Sequence, residues 1–159
     1  MSTETIQWRH NSTIGPLYIV VSSLGLRGIF WKKQDFSMAK NIQESKTLEK
    51  TIKQVDEYLS GKRKFFALPL DLVGTEFQLK VWNELLQIPF GETRSYKEIA
   101  IRLKNEKAVR AVGLANGKNP ISLIVPCHRV IGSNGTLTGY AGGLKIKMHL
   151  LNLESTQKL

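Results

Sequence analysis

Cysteine is the scarcest chemistry in this chain: of 159 residues only Cys127 carries a thiol. A lone cysteine excludes an internal disulfide and any multi-cysteine zinc site, and it points to a reducing, cytoplasmic compartment. No apolar stretch approaches the roughly 20 residues that would span a bilayer, so no membrane partner is expected. The first residues, Met1-Ser2-Thr3-Glu4, have neither the basic nor the apolar region of a secretory signal. Internal repeats and low-complexity tracts are also lacking. Acidic residues are few, 13 against 23 lysines and arginines, for a net charge of +10. With 42% hydrophobic and 23% charged residues, the remainder reads as a soluble globular chain of one ordinary or two small domains.

The positive excess suits a polyanion, of which nucleic acid is the commonest. Its distribution sharpens that reading. Arg94, Lys97, Arg102, Lys104, Lys107, Arg110, Lys118 and Arg129 face only Glu98 and Glu106 in the stretch leading to the cysteine.

Residues 1–73 read as a small α/β domain. Leu17 to Val21 and Gly28 to Trp31 are β-rich runs joined by a Ser22-Ser23-Leu24-Gly25 turn, which predicts a hairpin. Leu48, Ile52, Val55 and Leu59 recur at helical spacing, with Gly61 as a stop. Leu68, Leu70 and Leu72 alternate around Pro69, which predicts an edge strand. Around Val73-Gly74 the character turns helical, and the boundary is placed there.

Residues 74–159 read as mostly helical. Thr75 and Gln78 form a capping box ahead of Phe77, Val81 and Leu85, and Pro89 stops that helix; Trp82 is read as packing. Ser95 and Glu98 open a second helix with Ile99, Ala100 and Leu103, and Lys107 to Asn116 predicts a third, ended by Gly117. Two short basic helices joined by a tight turn read as a helix-turn-helix, although many helical hairpins bind nothing. Ala108, Ala111, Gly113 and Ala115 leave the last of these helices nearly bare, and Arg110 projects from it. A bare helix fits a DNA groove and equally fits close packing on another helix. Leu144, Met148 and Leu151 mark a final helix that ends at Glu154.

Pro126-Cys127-His128-Arg129-Val130 places an imidazole beside the only thiol. A cysteine with pKa about 8.5 is a few per cent thiolate at neutral pH, and a neighbouring base changes that fraction. The apolar run 121–125 anchors the segment, which is read as a strand reaching Cys127. On a strand Cys127 and His128 would point to opposite faces unless a turn at Pro126 intervenes. A buried, inert cysteine beside an unrelated histidine remains the alternative on these five residues.

Taken in order, Gly74-Thr75-Glu76-Phe77-Gln78, Val81-Trp82, Ile88-Pro89-Phe90-Gly91, Ser95-Tyr96, Ala108-Val109-Arg110-Ala111-Val112-Gly113, Ala115-Asn116-Gly117, Asn119-Pro120, Pro126 to Ile131 and Gly139 to Leu144 resemble the O6-alkylguanine-DNA alkyltransferases. These are also called methylated-DNA–protein-cysteine methyltransferases. The resemblance runs through most of residues 74 to 154. It implies a stoichiometric repair protein, a single-turnover methyltransferase that binds duplex DNA through a winged-helix-like helix-turn-helix in the minor groove. The damaged guanine is rotated out, and its O6-alkyl group moves irreversibly to Cys127.

By the same resemblance His128 acts as base through a bridging water, and Glu154 orients it. Tyr96 supports the flipped nucleotide and gives its hydroxyl proton toward the base, and Arg110 enters the vacated stack. Asn119 braces the turn before the cysteine. Backbone groups of Cys127 and Val130 read the guanine, while Tyr140 and the Ala141 amide line the pocket. Arg94, Lys107, Ala108, Ala111 and Gly113 complete the DNA face. No cofactor and no metal are implied, and the protein is expected to be a monomer; O4-alkylthymine is a further candidate substrate. His10 and His149 match no motif. The turn Lys104-Asn105-Glu106-Lys107 departs from the glycine and proline usual in the family, and Ala141 stands where serine is common. Two competitors remain at this stage, a non-catalytic lesion sensor of the same fold and a small cysteine hydrolase.

Overall fold

The computed structural model describes residues 4–157, in two compact units. Of the described residues, one unit comprises 4–73 with Pro120–Ser122, the other Gly74–Asn119 with 123–157.

The first unit is a four-stranded sheet in the order β3-β2-β1-β4, with one helix. Strands β1 (Ile6–Ser12), β2 (Gly15–Ser22) and β3 (Gly25–Phe30) form an antiparallel meander, and β4 (Ser37–Met38) runs parallel to β1. The predicted hairpin is β2-β3. Gly25 sits at φ 146°, where a side chain would be strained, and a Cβ there would stand 2.5 Å from the Pro69 carbonyl oxygen. Helix α1 (Lys46–Leu59) starts where Ser45 accepts a hydrogen bond from the Leu48 amide at 3.1 Å, and it buries Leu48, Val55 and Tyr58.

Two expectations fail here. The run Leu68 to Leu72 makes one bridge, Leu26 to Leu70, rather than a strand. Pro69 has no N–H to give, so the pairing stops at Leu26 N to Pro69 O and Asp71 N to Leu26 O, both 2.8 Å. The apolar run 121–125 is not a strand reaching the cysteine either. Its first part, Pro120–Ser122, belongs to the sheet unit, where Ile29 N donates to Pro120 O at 2.9 Å and Ile29 bridges Ile121.

The second unit is built on helices α2 (Glu76–Leu85), α3 (Tyr96–Arg102), α4 (Val109–Gly117) and α5 (Leu144–Thr156). Both bonds of the Thr75–Gln78 capping box are present, at 3.1 and 2.9 Å. Trp82 is a packing residue as expected: its Nε1 donates to the Ala115 carbonyl at 2.9 Å and ties α2 to α4. Helices α3 and α4 are the predicted pair, joined through Lys104, which takes a left-handed φ of 58°. Glycine would adopt that conformation without cost, so the atypical turn is paid for in backbone strain. The first turn of the predicted third helix, Glu106–Ala108, is a 3-10 turn.

A parallel pair of two-residue strands, β5 (Arg94–Ser95) and β6 (Val130–Ile131), brings the start of α3 beside the cysteine segment. Helix α5 turns the expected stripe around. Leu144 and Met148 are about half exposed, whereas the buried face is Lys147, Leu150 and Glu154. Two charged side chains therefore occupy positions that hydrophobic periodicity would give to leucines.

Candidate active site

Cys127 lies on a single 3-10 turn, Cys127–Arg129. Pro126, at φ −81° and ψ 64°, sends the chain sharply out of the apolar run. The turn is closed by Cys127 N to Val125 O at 2.7 Å and Arg129 N to Pro126 O at 2.9 Å. Its side chains fan out about 120° apart instead of alternating between two faces. Three consecutive functional groups thereby enter one buried region: Cys127, His128 and Arg129 are 6%, 0% and 7% exposed.

Helix α5 supplies the partners. His128 Nε2 and Glu154 Oε2 are 2.8 Å apart. Arg129 grips the same carboxylate, Nε to Oε1 at 2.8 Å and Nη2 to Oε2 at 2.9 Å, and its Nη1 donates to the Ile88 carbonyl at 2.7 Å. The Gly91 amide adds a longer bond to Oε1, 3.3 Å. Burial alone would raise the Glu154 pKa, but the hydrogen bonds and positive charge of His128 and Arg129 bring it down to about 2. An ionised carboxylate only accepts, so His128 Nε2 carries the hydrogen and Nδ1 is the basic nitrogen.

The thiol is not a resting thiolate. Burial pushes the Cys127 pKa up, against the Asn119 side chain and the Lys147 charge, which pull it down. Burial likewise lowers that of His128, against the hydrogen bond and charge of Glu154. Thiol and neutral imidazole are thus the pair that burial favours. The sequence reading weighed only the neighbouring base, whereas desolvation acts on the thiol in the opposite direction.

Asn119 Nδ2 donates to the Val125 carbonyl at 2.8 Å, just ahead of the cysteine turn. Tyr96, at the start of α3, places its hydroxyl 2.5 Å from Thr138 Oγ1, and its ring lies beside Gly113 of α4. Val130 is buried, Tyr140 half-buried and Ala141 exposed. Lys107, Arg110 and Ala111 are exposed together, with Lys97, Arg102, Lys104 and Lys118 extending the basic surface. Arg94 is half-buried and held to Glu92 at 3.2 Å and to the Thr93 carbonyl. Ala108 is buried, so its small size serves packing rather than an exposed face.

Sequence reasoning missed Lys147 and Arg129. Lys147 is fully buried, and its ammonium donates to the carbonyls of Val130 at 2.7 Å and Thr138 at 3.2 Å. Its burial lowers its pKa, while Cys127 acts the other way. The available signal was spacing, since Lys147 and Glu154 are seven residues apart and share the face of Leu150.

Comparison with known proteins agrees with this architecture. The description "6-O-methylguanine DNA methyltransferase, DNA binding domain" matches residues 76–156, and "6-O-methylguanine DNA methyltransferase, ribonuclease-like domain" matches residues 7–72. A methylated-DNA–protein-cysteine methyltransferase of Methanosarcina barkeri is 49% identical over 146 residues, covering 90% of this chain and 92% of its own. The inducible one of Bacillus subtilis is 48% identical over 78% of this chain and 69% of its own. Among solved structures, Mycobacterium tuberculosis OGT in complex with DNA has 40% identity and a TM-score of 0.84, covering 97% of this chain and 94% of its own. With a buried cysteine turn, a His128–Glu154–Arg129 cluster and a basic helix pair in one unit, and with both of its units matched, the chain belongs to the 6-O-methylguanine DNA methyltransferase family, the methylated-DNA–protein-cysteine methyltransferases.

Proposed function

We propose that this protein repairs O6-alkylguanine in duplex DNA by moving the alkyl group onto Cys127, once per molecule. The observation that carries this reading is the turn that sets Cys127 beside a His128–Glu154 relay at 2.8 Å. Residues 74–159 act as the DNA-binding and alkyl-transfer domain. Exposed Lys107, Arg110 and Ala111 of the helix pair face the minor groove, with Gly113 and Arg94 beside them. Arg110 fills the gap left by the rotated base, where its flat cation stacks as a lysine would not. Tyr96 supports the rotated nucleotide, Tyr140 and the Ala141 amide line its pocket, and backbone groups of Cys127 and Val130 read the base edge.

Chemistry follows from the resting protonation states. His128 Nδ1 takes the Cys127 proton through a bridging water, and Glu154 balances the imidazolium that forms. The sulfur attacks the alkyl carbon as the carbon–O6 bond breaks, and that electron pair passes to the guanine. Tyr96 supplies a proton to the base as the charge develops, after leaving Thr138. The thioether contains no disulfide for thiol exchange, so the protein is spent. We take it to act as a monomer in the cytoplasm, where a free thiol persists.

The test is Cys127→Ser. Expected are wild-type binding to an O6-methylguanine duplex in fluorescence anisotropy and no loss of methyl from the DNA. Methyl loss by that variant would refute Cys127 as acceptor.

A further inference from the structure

Glu154 is claimed twice. Its Oε2 receives His128 Nε2 at 2.8 Å and Arg129 Nη2 at 2.9 Å, and Oε1 receives Arg129 Nε at 2.8 Å. All three side chains lie within 9% of full burial. The guanidinium is itself fixed from outside the pair, by the Ile88 carbonyl at 2.7 Å and by the Phe90 ring 5.8 Å from its central carbon. A forked, immobile cation on a carboxylate makes a pair of zero net charge.

That matters to the base. A buried carboxylate whose only cationic partner was the imidazole would draw a second proton onto the ring, because an unpaired buried charge is costly. An imidazolium has no nitrogen left to take the thiol proton. We propose that Arg129 is a positioning residue which neutralises Glu154 and so keeps His128 as the neutral, Nε2-protonated imidazole that can accept from Cys127.

The other charges around the ring agree. Burial lowers its proton affinity most, the Glu154 hydrogen bond and charge raise it, and Arg129 and Lys147 both lower it. Arg129 is thus the counterweight to Glu154, acting at the same two oxygens. When the Cys127 proton reaches Nδ1, the His128–Arg129–Glu154 group passes from zero to a single positive charge. That charge faces the sulfur anion until the alkyl carbon–O6 bond breaks. Arg129 also holds the Glu154 oxygens in place through the change, since its fork leaves the carboxylate no rotation.

The inference rests on His128 serving as base in alkyl transfer, so its test includes a readout that needs no DNA. Imidazole nitrogen NMR of the full-length protein would follow His128 against pH in wild type, Arg129→Gln and Arg129→Lys. Gln keeps amide donors without charge, while Lys keeps the charge without the fork. At about pH 7 the wild-type ring is expected neutral with its hydrogen on Nε2. Arg129→Gln should bind its proton about one pH unit or more higher, and Arg129→Lys near wild type. The acid limb of the single-turnover transfer rate should move with the ring, about tenfold slower for Arg129→Gln below neutrality.

Equal displacement in both variants, or none, would reduce Arg129 to a structural residue and overturn the proposal. If Arg129→Gln does not fold, the wild-type ring and Arg129→Lys decide: an imidazolium at about pH 7, or a Lys variant displaced upward, overturns it. Absence of transfer in wild type with a neutral His128 would strike the repair reading instead.

Discussion

Replacing Glu154 with glutamine tests the relay quantitatively. The Oε1 and Oε2 atoms accept two hydrogen bonds from Arg129, one from His128 and one from the Gly91 amide. An amide can offer one acceptor atom, and its NH2 would confront a donor while Arg129 stays buried without a counter-charge. Removing one partner of such a pair costs about 3–5 kcal/mol. A second route gives a similar size: the Glu154 pKa falls from 4.5 to about 2 on folding, which at about 1.36 kcal/mol per pH unit is about 3 kcal/mol.

The pH dependence has a definite sign. A carboxyl with lowered pKa in the fold stabilises above its unfolded value, near 4.5, and loses that contribution as pH falls toward 2. His128, also lowered in the fold, adds a loss that begins as pH falls below 6.5. Wild type should therefore weaken in two stages, and Glu154→Gln should lack the second. Urea unfolding followed by circular dichroism would measure both proteins at about pH 7 and about pH 3.5, and between these the gap should shrink by about 1.4 kcal/mol. A gap under about 1 kcal/mol at neutrality, or one independent of pH, would refute the reasoning.

Further outcomes follow from other contacts. Arg110→Ala should weaken repair of duplex DNA more than reaction with free O6-benzylguanine; equal losses in the two rates would discredit its place in the stack. Binding measured against salt should show a steep negative slope, bounded at about −4.5 if the five exposed cations of the helix pair other than Arg110 reach phosphates; a flat profile would remove this face as the DNA surface. Lys147→Met should leave the Val130 and Thr138 carbonyls without their donor, costing about 2–4 kcal/mol in denaturant unfolding. The same variant should need higher pH for alkylation of Cys127 by iodoacetamide, because the cation that favours the thiolate is gone. Thr138→Val should remove the resting partner of the Tyr96 hydroxyl and change the rate on methylated duplex, with the fold intact by circular dichroism; an unchanged rate would argue that the 2.5 Å contact is incidental.

Much of the fold could be read from local signals. Caps at Thr75 and Ser95, the Pro89 and Gly117 stops and the Ser22–Gly25 turn each act over a few residues, and each places an element where it stands. Strand β1 escaped because Arg9, His10 and Asn11 interrupt any β-rich run, yet its pairing with β2 is continuous from Ile6 to Ser12. The division of residues 120–125 between two units also escaped, since one apolar run gives no sign of where its neighbours change.

At the site, Cys127, His128 and Glu154 were legible only as an ordered pattern, and the His128–Glu154 contact across 26 positions is a tertiary fact. Arg129 was counted only among the positive charges leading to the cysteine, and Lys147 was not singled out at all. Nothing local distinguishes a solvated cation from one whose partners arrive from another helix. The effect of burial on Cys127 was likewise out of reach, because desolvation depends on packing and not on the adjacent residue.

The most direct measurement is the product of reaction with excess O6-methylguanine duplex, mapped by peptide mass spectrometry together with the nucleosides left in the DNA. A single methyl per protein is expected, on the peptide that contains Cys127, with an equal amount of restored guanine. Methyl groups elsewhere on the chain, or more lesions repaired than protein molecules present, would contradict it.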